Sequence, residues 1–217
     1  MTPEPEVAPG QRLWIEGPAG RLEAVLRAAT APRGSAVVAH PHPLHGGTLH
    51  NPVVFHADRE LNRAGLSTLR FNFRGVGTSD GSHDEGRGEV HDLASAARWL
   101  RALAPGAPLL LVGYSFGSWC AIRHAVADRE VAGVIAIGLP VRVYPFLELR
   151  DLRCPFAVVQ GSEDEFGTPA EVEALLDGAG VTAPVLTVPG TSHLFPGKAP
   201  LAAGLVVEAA ETFVQTV

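Results

Sequence analysis

Gly113-Tyr114-Ser115-Phe116-Gly117 follows an apolar run, Pro108 to Val112, and opens a helix-like run, Ser118 to Ala127. That order predicts a strand, a sharp turn and a helix, with a serine at the turn. In such a nucleophile elbow the backbone is strained, and side chains at the flanking positions would collide with the neighbouring strand and helix, so both are Gly. The serine is held up and exposed at the strand's end. Ser115 is therefore the candidate nucleophile.

A serine hydroxyl is a poor nucleophile at neutral pH. It needs an adjacent base, and the base needs a partner that fixes its tautomer and stabilises the imidazolium formed on attack. Downstream, Val158-Val159-Gln160-Gly161-Ser162-Glu163-Asp164 reads as a strand ending in an acidic loop, and Val185 to His193 reads as a strand ending in a His-bearing loop. Of the nine histidines, His193 alone follows the last strand. His193 is the candidate base, since imidazole titrates close to working pH, and Asp164 is its candidate partner. Glu163 and Glu165 flank Asp164 as rival acids, whereas Gly138-Leu139-Pro140, after the sixth strand, offers no carboxylate. Nucleophile, acid, His is one of the chain orders in which such a site occurs.

Two short segments, Gln11 to Glu16 and Arg21 to Ala28, flank a Gly-Pro-Ala-Gly turn at 17 to 20 and read as a hairpin. From Ser35 onward mainly apolar runs alternate with helical ones. The runs are Ala36 to Ala39, Ser67 to Phe73, Leu109 to Val112, Val131 to Ile137, Phe156 to Gln160 and Val185 to Val188. Largely apolar strands alternating with helices indicate a parallel sheet covered on both faces. Helices are expected over Val53 to Ala64, Glu89 to Leu103, Ser118 to Ala127, Pro169 to Asp177 and Leu201 to Gln215. In the second of these Val90, Leu93, Ala97 and Leu100 form the inner stripe while Asp92, Arg98 and Arg101 face elsewhere. The connection from Gly138 to Arg153 has 16 residues, too few for a helical lid. The site is expected to be open, roofed at most by Leu139, Pro140, Val143, Tyr144, Pro145 and Phe146.

A tetrahedral oxyanion needs preorganised donors, each worth roughly 3 kcal/mol when lost. One expected donor is the backbone amide of Phe116, the residue after the nucleophile. The other comes from the loop after the third strand, His40-Pro41-His42-Pro43-Leu44-His45-Gly46-Gly47-Thr48. Pro41 and Pro43 have no N–H, which leaves the His42 amide as the best-placed second donor. His40, His42, His45, His50 and His56 could suggest a metal cluster. The loop lacks the i, i+4 helical pair of zinc hydrolases, and a serine route needs no metal, so no metal and no cofactor are expected. The Gly-rich stretch Phe71 to Gly81 is not G-x-G-x-x-G and reads as a loop packed beneath the oxyanion loop, with substrate contact through Arg74 as the alternative. Cys120 and Cys154 have neither metal-ligand nor C-x-x-C spacing and read as small buried apolar residues.

With 217 residues, 46% of them hydrophobic, 24 Gly and 18 Pro, the chain fits one globular domain over residues 1–217 with many tight turns. The formal charge of −6, with no Lys/Arg cluster, argues against a nucleic-acid or anionic-membrane partner. Met1 to Glu6 carry neither a basic nor an apolar leader segment, and no apolar run approaches the roughly 18 residues of a membrane-spanning helix. A cytoplasmic location is expected, and both a monomer and a homodimer fit the sequence.

His40-Pro41-His42-Pro43 with Gly46-Gly47, Phe71 to Gly77, the Gly113 to Gly117 elbow, Asp164 and His193 together resemble the small lidless α/β-hydrolases of the HPHP type. The resemblance covers nearly the whole chain. It implies an α/β-hydrolase fold, with an eight-stranded mostly parallel sheet flanked by helices and no lid domain, and a Ser-Asp-His triad at Ser115, Asp164 and His193. A serine hydrolase acting on small-molecule carboxylic esters or thioesters of small to medium acyl groups is then the expected activity. Tyr114, Leu139, Tyr144, Phe146, Phe166, Leu194 and Phe195 are candidate pocket walls, each with core packing as its alternative. An acyltransferase or peptidase on the same triad and a non-catalytic binding module remain alternatives, although a module of that kind is expected to have lost a triad member. Arg142, Arg150 and Arg153 read as a solvated surface rather than an anion site.

Overall fold

A computed structural model describes residues 8–215. Met1 to Glu6, read above for a leader segment, lie outside the described residues. The hairpin forms as the turn chemistry requires: β1 (Gln11–Gly17) and β2 (Gly20–Arg27) pair antiparallel across Pro18 and Ala19, with Gly20 at φ +117°. The chain then alternates. β3 (Gly34–Ala39), α1 (Pro52–Arg63), β4 (Leu66–Phe71), α2 (Arg87–Leu103), β5 (Leu109–Tyr114) and α3 (Phe116–Ala127) lead into β6 (Val131–Ile137). A short 3-10 helix (Leu147–Asp151), β7 (Phe156–Gly161), α4 (Pro169–Ala179), β8 (Val185–Val188) and α5 (Ala199–Val214) follow.

One eight-stranded sheet results, in the order β1-β2-β4-β3-β5-β6-β7-β8, antiparallel from β1 to β4 and parallel from there on. The sequence cue of largely apolar strands has a direct cause. Successive strand side chains point to opposite faces, so Val37, Ala39, Leu109, Leu111 and Val134 pack with α2, α3 and α4. Their neighbours Ala36, Val38, Leu110, Val112 and Ile135 pack with α1 and α5. Both faces are covered, and the central strands β3 and β5 are buried at every position.

Asp92 departs from its expected outward place. It is fully buried on α2 and binds Arg74 from both carboxylate oxygens, with Arg74 Nη2 2.7 Å from Oδ1 and Nε 2.9 Å from Oδ2. Arg74 also donates to the Gly88 carbonyl at 2.8 Å. The Gly-rich loop after β4 is thus anchored to α2, and the Arg74 guanidinium is taken up by that anchor. The same loop supports the one after β3, because the Phe73 amide donates to His40 Nε2 (3.1 Å) and the Leu49 amide to Asn72 Oδ1 (2.7 Å).

Candidate active site

The site lies at the carboxyl ends of β3, β5, β7 and β8, where the loops of a parallel sheet converge. Ser115 sits between β5 and α3 at φ 55°, ψ −115°, a conformation an L-residue adopts only when its surroundings force it. Close packing supplies the force. A Cβ on Gly113 would lie 2.3 Å from the Gly117 carbonyl oxygen, and one on Gly117 would lie 2.6 Å from that of Ala39. The Ser115 amide donates to Ile137 O (2.8 Å) and Ser118 Oγ donates to Ser115 O (2.6 Å), pinning the turn on both sides.

The three residues picked out from the sequence meet in one hydrogen-bonded chain. His193 Nε2 is 2.8 Å from Ser115 Oγ, and His193 Nδ1 is 2.8 Å from Asp164 Oδ2. With Asp164 ionised, Nδ1 carries the proton and Nε2 is free to accept from the serine. His193 is 3% exposed and held on all sides. Tyr114 Oη donates to its carbonyl (2.8 Å), its own amide donates to Glu165 Oε2 (3.0 Å), and the Phe166 ring meets it edge-on with centroids 4.7 Å apart. Asp164 accepts the Phe166 amide at Oδ1 (2.9 Å).

Gln160, which sequence reasoning passed over, completes this arrangement. It is fully buried at the end of β7. Its Nε2 donates to Asp164 Oδ2 (2.9 Å) and to the Gly167 carbonyl, at 2.6 Å, while Oε1 accepts the Leu139 amide (2.8 Å). The available signal was an uncharged polar residue in a strand whose other positions are apolar or Gly and buried on both faces, a place where every polar atom must be satisfied.

The loop after β3 folds back on itself. His42 O accepts from the amides of both His45 and Gly47 at 3.1 Å, and a Cβ on Gly47 would lie 2.0 Å from Pro41 O. Among the described residues neither the His42 amide nor the Phe116 amide donates to a protein acceptor. Burial, reinforced by His45 and His83, holds the His42 imidazole below its ordinary pKa. Burial likewise pushes His40 down to about 4. His40 is therefore neutral near pH 7, accepting at Nε2 from Phe73 and donating from Nδ1 to Pro41 O (2.6 Å). Among the described residues no three His, Cys, Asp or Glu side chains converge as a metal-ligand set.

A cavity of about 350 Å³ opens over Ser115. The β3 loop supplies Pro41, His42, His45, Gly46 and Gly47, and Asn51 stands at the start of α1. Tyr114, Phe166 and Leu194, three of the candidate wall residues, line it together with Glu165 and His193.

Leu139, Tyr144, Phe146 and Phe195, the other candidate wall residues, are placed elsewhere. Leu139 is fully buried in the core under α3. Tyr144 stacks on Trp119, with centroids 4.7 Å apart and planes at 11°, and with Phe146 it borders a separate groove against α4. Phe195, at φ 51°, turns its ring down among Tyr114, Ala199 and the α5 side of the sheet, while Leu194 beside it stays 71% exposed. No residue of the 138–146 connection roofs the cavity; the acid and His loops wall it instead. Arg142, Arg150 and Arg153 also lie outside it, with Arg142 bound to Glu171 (2.9 Å) and to the Glu165 carbonyl (3.0 Å). Cys120 and Cys154 are free, the first buried and the second half-buried, and burial raises both thiols. No helix among the described residues is long and apolar enough to cross a membrane.

Comparison with known proteins agrees with this architecture. Residues 35–199 match an alpha/beta hydrolase domain family. An uncharacterised protein, RP471, of Rickettsia prowazekii (strain Madrid E) is 37% identical over 171 residues, covering 76% of this chain and 72% of its own length. An alpha-beta serine hydrolase homologue from Coxiella burnetii superposes with a TM-score of 0.85 at 34% identity, over 91% of this chain and 96% of that one. XC6422 of Xanthomonas campestris, an α/β serine hydrolase without a lid, gives the same TM-score and identity over 94% of both chains. Family match, sheet order and short 138–153 connection point the same way: the chain belongs to the α/β-hydrolase domain family and is a small lidless member of it.

Proposed function

We propose that this protein is a serine hydrolase that cleaves carboxylic esters or thioesters of small to medium acyl groups. The observation that carries the reading is the pair of 2.8 Å hydrogen bonds, Ser115 Oγ to His193 Nε2 and His193 Nδ1 to Asp164 Oδ2, opening on the cavity. Ser115 Oγ attacks the carbonyl carbon as its proton passes to His193 Nε2, and the negative oxygen is received by the amides of Phe116 and His42. Collapse breaks the bond to the leaving alcohol or thiol, which takes the proton from His193. Water then adds to the acyl-enzyme, its proton going to His193, and the acid leaves as Ser115 recovers its hydrogen. A cavity of this size falls at the small end of ligand sites, in keeping with a modest acyl group.

The test is labelling of the purified protein by a fluorophosphonate, with Ser115→Ala as control, followed by p-nitrophenyl esters of increasing chain length. Labelling that disappears in Ser115→Ala, with turnover peaking at short to medium chains, supports the reading. A folded wild-type protein that neither labels nor turns over any ester overturns it.

A further inference from the structure

Resting on that reading, we infer that Glu165 is a specificity-determining residue that turns away substrates bearing a carboxylate or phosphate near the scissile bond and admits neutral or cationic ones. Among the described residues lining the cavity there is no Lys and no Arg, and Glu165 is the single carboxylate. Its charge is fixed in place, since Oε2 accepts the His193 amide at 3.0 Å. That bond holds its carboxyl below the ordinary carboxylate range, so it is ionised throughout the neutral region. The other acid nearby, Asp164, is 1% exposed and fully engaged by His193, Gln160 and the Phe166 amide, so it presents no oxygen to the cavity.

Among the described residues lining the cavity no Lys or Arg side chain offsets Glu165. Arg142 reaches the Glu165 backbone carbonyl but directs its charge to Glu171 at 2.8 Å. The His42 imidazole, which also lines the cavity, has its pKa lowered by burial and by its neighbours His45 and His83. A substrate entering between Glu165, Phe166 and Leu194 therefore meets an apolar wall carrying one negative charge. An anionic group there loses hydration and gains only repulsion, whereas an ammonium group gains a partner.

The experiment compares kcat/KM within pairs of equal shape and different charge. Mono-p-nitrophenyl succinate is set against p-nitrophenyl isohexanoate to vary the acyl side, and butyrylcholine against neohexyl butyrate to vary the alcohol side. The expected result is discrimination against the succinate on the order of tenfold, with butyrylcholine at least equal to its neutral twin. Half-molar salt should shrink both differences. Glu165→Gln keeps the acceptor for the His193 amide and should bring both ratios towards one, while Glu165→Lys should reverse them. Ratios unaltered in Glu165→Gln, or a wild-type protein that takes the succinate as readily as the isohexanoate, overturn the inference. If no uncharged ester is turned over, the hydrolase reading fails separately. Saturation-transfer NMR of choline and succinate on the wild-type and Glu165→Lys proteins then decides the charge preference, and equal binding of the two overturns it.

Discussion

Gln160 Nε2 and His193 Nδ1 both donate to the same oxygen, Asp164 Oδ2, at 2.9 and 2.8 Å. The buried amide thus fixes where the carboxylate sits and, through it, the plane of the imidazole. Asp164 alone cannot do this, since its other oxygen is bound only to the Phe166 amide of its own loop.

Gln160→Leu is expected to lower kcat/KM roughly ten- to hundredfold, the equivalent of one hydrogen bond to a charged group at about 1.5–3 kcal/mol. It also leaves the Leu139 amide and Gly167 carbonyl without their partner, so melting temperature should fall. A double-variant cycle separates positioning from mere loss of stability. Asp164→Asn alone should cost on the order of 10⁴ in turnover with the fold intact, and Gln160→Leu added to it should cost little more. Additive losses would mean that Gln160 acts by some route other than Asp164.

The elbow makes a second prediction. A methyl group at residue 117 would collide with two backbone oxygens, those of Ala39 at 2.6 Å and His40 at 2.8 Å. Backbone at the end of a central strand cannot yield as a flexible side chain can, so Gly117→Ala should either push the oxyanion loop away or unfold the turn. The expected outcome is loss of turnover with at least about 2 kcal/mol of stability, read by urea denaturation. Gly204→Ala, which meets open space on α5, is the matched control and should be neutral or slightly stabilising.

How much of this was legible in the sequence depends on the range of the interaction that decides each residue's place. The strands were readable because a two-sided sheet favours apolar residues at most positions, and Val37 and Val38 fit whichever face each takes. The order Ser115, Asp164, His193 was readable from the loops they follow. Asp92 was not, because it looks like a residue on the solvent side of α2 until Arg74, 18 positions earlier, arrives to pair with it. The cavity walls were legible only in part. Leu194 and Phe195 are equally apolar neighbours, and only the positive φ at Phe195 sends one outward and the other into the core.

The Arg74–Asp92 pair yields a third prediction. Asp92 has no exposed surface and the Arg74 side chain only 11%. Removing one partner strands a buried charge, which costs about 3–5 kcal/mol. Asp92→Ala and Arg74→Ala should both lower the denaturation midpoint strongly, yet the fraction that remains folded should keep the wild-type KM for neutral esters. A raised KM at unchanged stability in Arg74→Ala would restore the alternative in which Arg74 contacts substrate.

The last prediction concerns pH and His40. In the folded chain its pKa is pushed down to about 4 by complete burial, against an ordinary value of 6.5. A histidine with a depressed folded pKa binds its proton more readily when unfolded, so its effect on stability is absent above pH 6.5. Below that the unfolded state gains protons first, and stability is lost progressively as pH falls from 6.5 towards 4, with no further loss beneath it. The loss from this one group should reach about 2 kcal/mol at pH 5. His40→Asn preserves a short acceptor for the Phe73 amide but cannot titrate. It should start less stable than wild type at pH 7.5, because the ring leaves a void beside Phe73, whose centroid is 4.8 Å away. Between pH 7.5 and pH 5 it should lose less stability than wild type by that same amount. The comparison is read from urea midpoints at the two pH values. Parallel losses in the two proteins would show that His40 is protonated in the fold at pH 5, and that the Phe73 amide then lacks the acceptor on which the β3 loop rests.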